Sequence, residues 1–171
     1  MDKIIDILDS IAYEKGLKIE DVENALKEAL VKTAEKMVDS TLRFDAEIDR
    51  TNKKLELFQK IEVVKNDDER LLEDGLDEWE NVISKENYIS FDEAKKIDED
   101  LEIGDFVNYD LEFENMGRNA ATILHNNFEY RIQRFLEETL LSKYKSKIGK
   151  TISGSVTRVD RQENTFVEIG E

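Results

Sequence analysis

The chain has 171 residues, 39% of them charged, with 41 acids against 25 basic residues and a net charge of −16, a balance that repels nucleic acid from the surface taken as a whole. It has no Cys, which excludes disulfides and thiolate metal sites and fits a reducing compartment. No apolar run approaches the roughly 18–20 residues of a membrane span, and Met1-Asp2-Lys3-Ile4-Ile5-Asp6 has acids where a secretion signal has a basic start, so the expectation is a soluble, cytoplasmic chain with one domain and a fragment of another.

Ile4, Ile5, Leu8, Ile11 and Ala12 recur at helical spacing, and Gly16 is placed to stop that helix in the left-handed conformation. A second helix begins near Glu20. Val22, Ala25, Leu26, Ala29, Leu30, Thr33, Ala34 and Met37 form its buried stripe, with acids at its start and Lys32 and Lys36 toward its end. The small alanines predict a closely packed helical hairpin.

The period then falls to two. Leu42, Phe44, Ala46 and Ile48 alternate with charged residues as a half-buried strand, Thr51-Asn52-Lys53-Lys54 turns, and Leu55 to Val64 returns. Between Asn66 and Glu80 stand Asp67, Asp68, Glu69, Glu73, Asp74, Asp77, Glu78 and Glu80 against Arg70 alone. Leu71, Leu72, Leu76, Trp79, Val82 and Ile83 predict a surface helix through this acidic segment, residues 66–85, with a mobile loop as the second choice. Ser90 to Ala94 reads as a short strand leading to a helix cap. Phe106 to Phe113 alternates as a third strand that feeds a hinge at Asn115-Met116-Gly117-Arg118.

From Asn119 to Lys147 the chain has neither Gly nor Pro. Ala121, Leu124, Phe128, Ile132, Phe135, Leu136, Leu140 and Tyr144 form one apolar stripe, so this is a single helix about 43 Å long. Gly149 is expected to end it. Lys143, Lys145, Lys147, Lys150, Arg158 and Arg161 then stand against Asp160 alone. Any RNA contact belongs to this stretch, although two solvated faces explain the charge asymmetry as well. Thr151–Val159 and Thr165–Ile169 read as two strands, too few for a small barrel of about five. They look like the opening hairpin of a second domain.

No catalytic set is visible. The carboxylates fall on helix surfaces and strand alternations, and the seven glycines stand singly, which leaves no phosphate-binding loop. His125 is the one His, without a second His or Cys to share a metal. It is read as a helix-surface or partner-facing residue. The expectation is a protein that is not an enzyme and that takes no cofactor and no metal.

Several short motifs nevertheless occur in a telling order: Asp2-Lys3-Ile4-Ile5, Glu14-Lys15-Gly16-Leu17, Asn24-Ala25-Leu26-Lys27-Glu28-Ala29-Leu30, Ile48-Asp49-Arg50 followed by Glu62-Val63-Val64, Ile89-Ser90-Phe91-Asp92-Glu93-Ala94, Ile103-Gly104-Asp105-Phe106-Val107, Gly117-Arg118-Asn119-Ala120-Ala121, and Ile148-Gly149 with Ile152, Gly154 and Val156. Together they resemble the amino-terminal domain of the bacterial transcription elongation and termination factor NusA, over essentially the whole chain. Thr122-Ile123-Leu124-His125-Asn126 stands where that family has a Gln-Thr-Ala-Lys-Gln run, which thins a basic helix face. The acidic segment looks longer than in most members.

The resemblance implies an α+β fold: a helical hairpin and a small antiparallel sheet forming a head, one long connecting helix, and the start of an OB-type barrel. It implies residues 1–147 as an RNA-polymerase-binding domain and 148–171 as the first hairpin of an RNA-binding domain. It also implies docking beside the RNA exit channel, near the flap of the polymerase β subunit. There the factor modulates pausing, termination and antitermination together with nascent RNA and other elongation and antitermination factors. Candidate contacts are Lys32, Lys36, Arg118, His125, Arg131 and Arg134. Lys143, Lys145, Lys147 and Gly149 would form the interdomain junction. A general single-stranded RNA-binding module acting through the barrel, and an adaptor that presents acidic surface, are the competing readings.

Overall fold

The computed structural model describes residues 4–170, so Asp2 and Lys3 of the opening motif lie outside the described residues. The chain divides into two compact units, one up to Gln133 and one from Arg134.

In the first unit, α1 (Ile4–Lys15) ends at Gly16, whose φ is +64°, and α2 (Ile19–Met37) follows. Ile5, Leu8 and Ala12 of α1 are buried together with Val22, Ala25, Leu26, Ala29, Leu30, Thr33 and Ala34 of α2. The Thr33 hydroxyl, fully buried, donates to the Ala29 carbonyl at 2.7 Å and so needs no water. α1 packs on α2 and α2 lies on the first strand. The expected helical hairpin is present.

β1 (Phe44–Asp49) and β2 (Lys54–Val64) pair antiparallel, with Phe44 opposite Gln59 and Asp49 opposite Lys54. Phe44 and Ala46 point into the core and Ile48 is half-buried, as the alternation requires. Arg50, in the turn, reaches back to both helices: it donates to Asp9 at 3.1 Å and to Glu23. On the other edge of β2 lies β6 (Phe106–Asp110), antiparallel, with Ile61 opposite Val107. Farther along β2, Val63 sits beside Ile89 of β5 (Tyr88–Ser90) in a short parallel pairing. The sheet is therefore mixed at this one place. Val63, Ala94 and Val107 form a small second core under Ile61, Ile89, Phe91 and Leu101.

A parallel pair needs a crossover rather than a tight turn, and the acidic segment supplies it. No α-helix forms there, contrary to the expectation. The segment holds a 3-10 turn at Glu69–Leu71, a small hairpin of β3 (Gly75–Leu76) and β4 (Val82–Ile83), and a second 3-10 turn at Lys85–Asn87. The cause is local. Asp68 accepts from the Arg70 N–H, Asp77 from the Trp79 and Asn81 N–H groups, and Asp74 from the Lys85 N–H. Side chains that capture nearby backbone donors compete directly with helix formation.

This crossover arm is tied down firmly at its base. The guanidinium of Arg70 makes two bonds to Asp68, at 3.0 and 2.9 Å, and lies 4.8 Å over the Tyr88 ring. Those bonds hold the Asp68 carboxyl down at about 2. Arg43 reaches Glu62 and the Tyr88 hydroxyl, each at 3.3 Å. Fully buried Asn87 accepts from the Arg43 N–H at 2.8 Å and donates to the carbonyls of Thr41 and Ser84 at 2.7 and 3.0 Å.

Ser90 closes β5 and also caps α3 (Phe91–Ile97), accepting from the Glu93 N–H at 3.4 Å. The expected strand at Ser90–Ala94 thus lies just before that stretch, because Ser90 and Glu93 have capping spacing. After β6 a 3-10 turn at Phe113–Met116 buries Met116 and leads to Gly117. There φ is 110° and ψ is 170°, a region essentially restricted to glycine. A Cβ at Gly117 would stand 3.4 Å from the Met37 Cε. Gly117→Ala should therefore destabilise the first unit by about 1–3 kcal/mol, measured by denaturant unfolding; an unchanged midpoint would refute this strain argument.

α4 runs from Ala120 to Lys145, about 39 Å at the usual helical rise. It stops short of Gly149: turns through Lys150 succeed it, and Gly149, with φ +78°, lies in these turns. Its stripe is only partly covered. Ala120 and Ile132 are buried, Leu124, Phe128, Phe135, Leu136 and Tyr144 are half-buried, and Ala121 and Leu140 are exposed. Ala120, one position before the expected Ala121, is the residue that turns inward.

In the second unit, β7 (Ser155–Val159) and β8 (Thr165–Glu168) form an antiparallel hairpin with an irregularity between Val156 and Arg158. The Tyr144 hydroxyl donates to the Ile169 carbonyl at 2.9 Å, and the Arg158 guanidinium stacks 4.2 Å from the Phe166 ring. The described residues contain two strands here and no closed barrel.

Candidate functional site

The expected contact residues fall into distinct structural situations. Lys32, on the outer face of α2, keeps 71% of its side-chain exposure and pairs with Glu35 one turn on at 3.1 Å. Lys36 is exposed in the last turn of α2. Arg118 is exposed between Gly117 and the first turn of α4. A Cβ on Gly117 would stand 3.4 Å from the Met37 Cε, so the end of α2 lies near the hinge before α4. Lys36 adjoins Met37 and Arg118 adjoins Gly117 in sequence, and both are exposed.

Arg118 does little for its own helix. The first turn of α4 contains no acid, and a cation beside the positive end of a helix dipole costs about 0.3–1 kcal/mol. Arg131 is used differently. It grips Glu28 of α2 through Nε at 2.5 Å and Nη2 at 3.3 Å, and nearby Asn127 donates to the Thr33 hydroxyl at 3.3 Å. These two residues fasten α4 along α2. His125 is exposed and faces Glu129 at 3.6 Å, one helical turn away.

In the second unit, Arg134 pairs with Glu138 at 3.5 Å. Lys143 and Lys145 are exposed and Lys147 is half-buried. The ammonium groups of Lys143 and Lys147 lie 5.9 and 5.5 Å from the Tyr144 ring, so a tyrosine organises this basic turn.

The first unit also has a partly open, mainly apolar pocket of about 320 Å³ lined by Ile4, Leu30, Leu55, Leu57, Leu111, Phe113 and Leu124 together with Glu112 and Glu114. Its walls offer hydrocarbon and no nucleophile–base pair. Among the described residues no cluster of three or more His, Asp or Glu has the geometry to hold a metal ion. No described helix is long and apolar enough to cross a membrane. Two structurally decisive residues were not read as such from the sequence: Asn87 had no distinguishing signal, and Arg50 was marked only by its place in the Ile48-Asp49-Arg50 motif. Both act over long sequence separations, and neither lies on a periodic stripe.

The arrangement is an α+β domain whose helix surfaces present exposed cations. The family model for the NusA N-terminal domain matches residues 3–135, and the chain belongs to that family. It is 32% identical over 169 residues to the transcription termination/antitermination protein NusA of Helicobacter pylori strain J99, covering 99% of this chain and 40% of the relative. With the protein of that name from Thermus thermophilus it shares 25% identity over 178 residues, covering 98% and 42%. The chain thus spans about two fifths of the length of these curated relatives. The solution structure of the N-terminal domain of NusA from B. subtilis superimposes with a TM-score of 0.52, covering 78% of this chain and 95% of that one at 20% identity. That likeness concerns the fold.

Proposed function

We propose that residues 1–147 form a domain that binds RNA polymerase beside the RNA exit channel, at the flap of the β subunit, and modulates pausing, termination and antitermination. Residues 148–171 are then the first hairpin of an OB-type RNA-binding domain, and Lys143, Lys145, Lys147 and Gly149 form the junction. Nascent RNA and other elongation and antitermination factors are the further partners. Membership of the NusA N-terminal domain family supports this reading. What supports Lys36 and Arg118 as the site is their exposure, next to Met37 and Gly117, with the end of α2 near the hinge before α4.

In this reading the domain makes and breaks no bond. The head docks on polymerase protein, and the exposed cations attract phosphates of the emerging transcript. Such attraction is independent of sequence and weakens with salt, which suits a factor that meets every transcript. Pauses lengthen because RNA structure at the exit is favoured. Lys32, His125 and Arg134 are secondary candidates, each with an acid within one helical turn. Arg131, held by Glu28, serves to set α4 in place.

The test is a transcription assay with the double reversal Lys36→Glu and Arg118→Glu. Binding to polymerase should weaken on the order of tenfold, and pause lifetimes should fall toward those without the factor. Unchanged pausing would remove both residues from the site. Deleting the β flap tip from the polymerase should abolish binding of the unaltered chain; retained binding would move the dock elsewhere.

A further inference from the structure

The crossover arm spends many hydrogen bonds on holding apolar side chains in water. Leu72, Leu76 and Trp79 are 74%, 65% and 81% exposed. Trp79, the single Trp of the chain, stands at the tip of the β3–β4 hairpin in the loop Asp77-Glu78-Trp79-Glu80-Asn81. The Asp77 carboxylate accepts from the Trp79 N–H, the Asn81 N–H and the Asn81 side-chain amide at 2.8, 2.9 and 3.0 Å. The loop is closed by Asp77 N–H donating to the Asn81 carbonyl at 3.0 Å. Behind Trp79, Leu76 sits opposite Val82 across the hairpin. None of these side chains belongs to either core of the first unit.

A loop backbone held in advance loses little further freedom on binding, and Trp is among the residues that dominate interface energetics. The surroundings specify the counterpart. Glu73, Asp74, Asp77, Glu78 and Glu80 flank the apolar set, a field that repels phosphates and other copies of a chain of charge −16 and attracts Lys and Arg. We infer that the arm is a second protein-docking element, which inserts Trp79 and Leu76 into an apolar pocket bordered by Lys or Arg on the same RNA polymerase that the head engages. The inference rests on the polymerase reading above. Because the arm is anchored to β2 and β5 of the head, its engagement follows the first contact as an intramolecular step and raises affinity without a second search.

The chain itself supplies the control. In the second unit, Asp160-Arg161-Gln162-Glu163-Asn164 forms the same loop. Asp160 accepts from the Gln162 N–H, the Asn164 N–H and the Asn164 amide, each at 2.9 Å, and Glu163 at φ 64° matches Glu80 at φ 62°. The double substitution Glu78→Arg and Trp79→Gln therefore rewrites the first loop in the sequence of the second and keeps its frame. The experiment labels the full chain with 5-fluorotryptophan, which gives one fluorine resonance at Trp79. The chain is then titrated with core RNA polymerase at low and high salt, and separately with single-stranded RNA.

The expected result is a shift or broadening of that resonance with polymerase and none with RNA. E78R/W79Q should weaken binding about tenfold, more at low salt than at high, with an unchanged thermal midpoint. If that variant loses its fold, Leu72→Ser, outside the hairpin, carries the same comparison. Polymerase binding that leaves the resonance unmoved and is unaffected by these substitutions overturns the arm while the head reading stands. Absence of any polymerase binding by the unaltered chain overturns both. A resonance that moves with RNA, or with chain concentration alone, overturns the assignment in favour of those partners.

Discussion

Asn87→Ala should destabilise the first unit by about 2–4 kcal/mol and release the crossover arm with it. Three backbone groups from two segments converge on this one side chain: the Arg43 N–H and Thr41 carbonyl just before β1, and the Ser84 carbonyl within the arm. Truncation leaves them without partners inside the protein, and each buried polar group so orphaned costs on the order of 1–3 kcal/mol. Partial access of water at Thr41 and Arg43, both half-buried, keeps the total below the sum. Chemical denaturation measures the loss, and hydrogen exchange should show faster exchange of the Ser84 amide, which donates to Thr41. A loss under about 1 kcal/mol would show that water substitutes for the amide.

The change Asn87→Asp tests the same geometry by pH. It turns a donor into a carboxylate facing two carbonyls, so the folded state should raise that carboxyl above its ordinary value. A raised acid contributes its penalty at neutral pH and loses it as pH falls through the folded value. The deficit relative to the unaltered chain should therefore narrow on acidification.

Leu30→Ala has the larger purely apolar effect, about 3–5 kcal/mol. Leu30 is 1% exposed in the middle of α2, and it borders the partly open apolar pocket also lined by Ile4, Leu55, Leu57 and Leu111–Glu114. Removing it deletes buried hydrocarbon and leaves a void beside that pocket. The lost transfer energy and the void together set the cost, as for other fully buried Leu-to-Ala substitutions. Leu30→Met, which keeps most of the volume, should cost less than about 1.5 kcal/mol. Equal losses for the two variants would mean that the site is sensitive to shape rather than to void.

What could be read from the sequence was what depends on period. The stripes of α1 and α2 and the alternation of β1 need only a count along the chain. Gly16 and Gly117 were identifiable because their positions required a turn and a hinge, and both have positive φ. Period misled in the acidic segment. Leu71, Leu72, Leu76, Trp79, Val82 and Ile83 have helical spacing, but Asp68, Asp74 and Asp77 take the backbone donors a helix would use. The loop sequence Asp-x-x-Glu-Asn, present at Asp77 and again at Asp160, was the available signal for these turns.

For the candidate site, Lys36 and Arg118 stood out only through motif position, since an exposed Lys on a helix has no signature of its own. Arg131 illustrates the converse. As a basic residue on a helix face it was read as a contact candidate, and only the structure shows that it also pairs with Glu28, distant in sequence. Charge is visible in a sequence, whereas its partner is a property of the fold.

β2 is the common neighbour of β1, β5 and β6. At Glu62 it is paired on both sides at once, with Tyr88 and with Phe106. A shift of β2 by one residue would change register against three strands together and turn every side chain on it to the opposite face. The strand thus acts as a keystone: the helical layer, the hinge leading to α4 and the root of the arm are indexed to one ruler, and none of them can be retuned without the others.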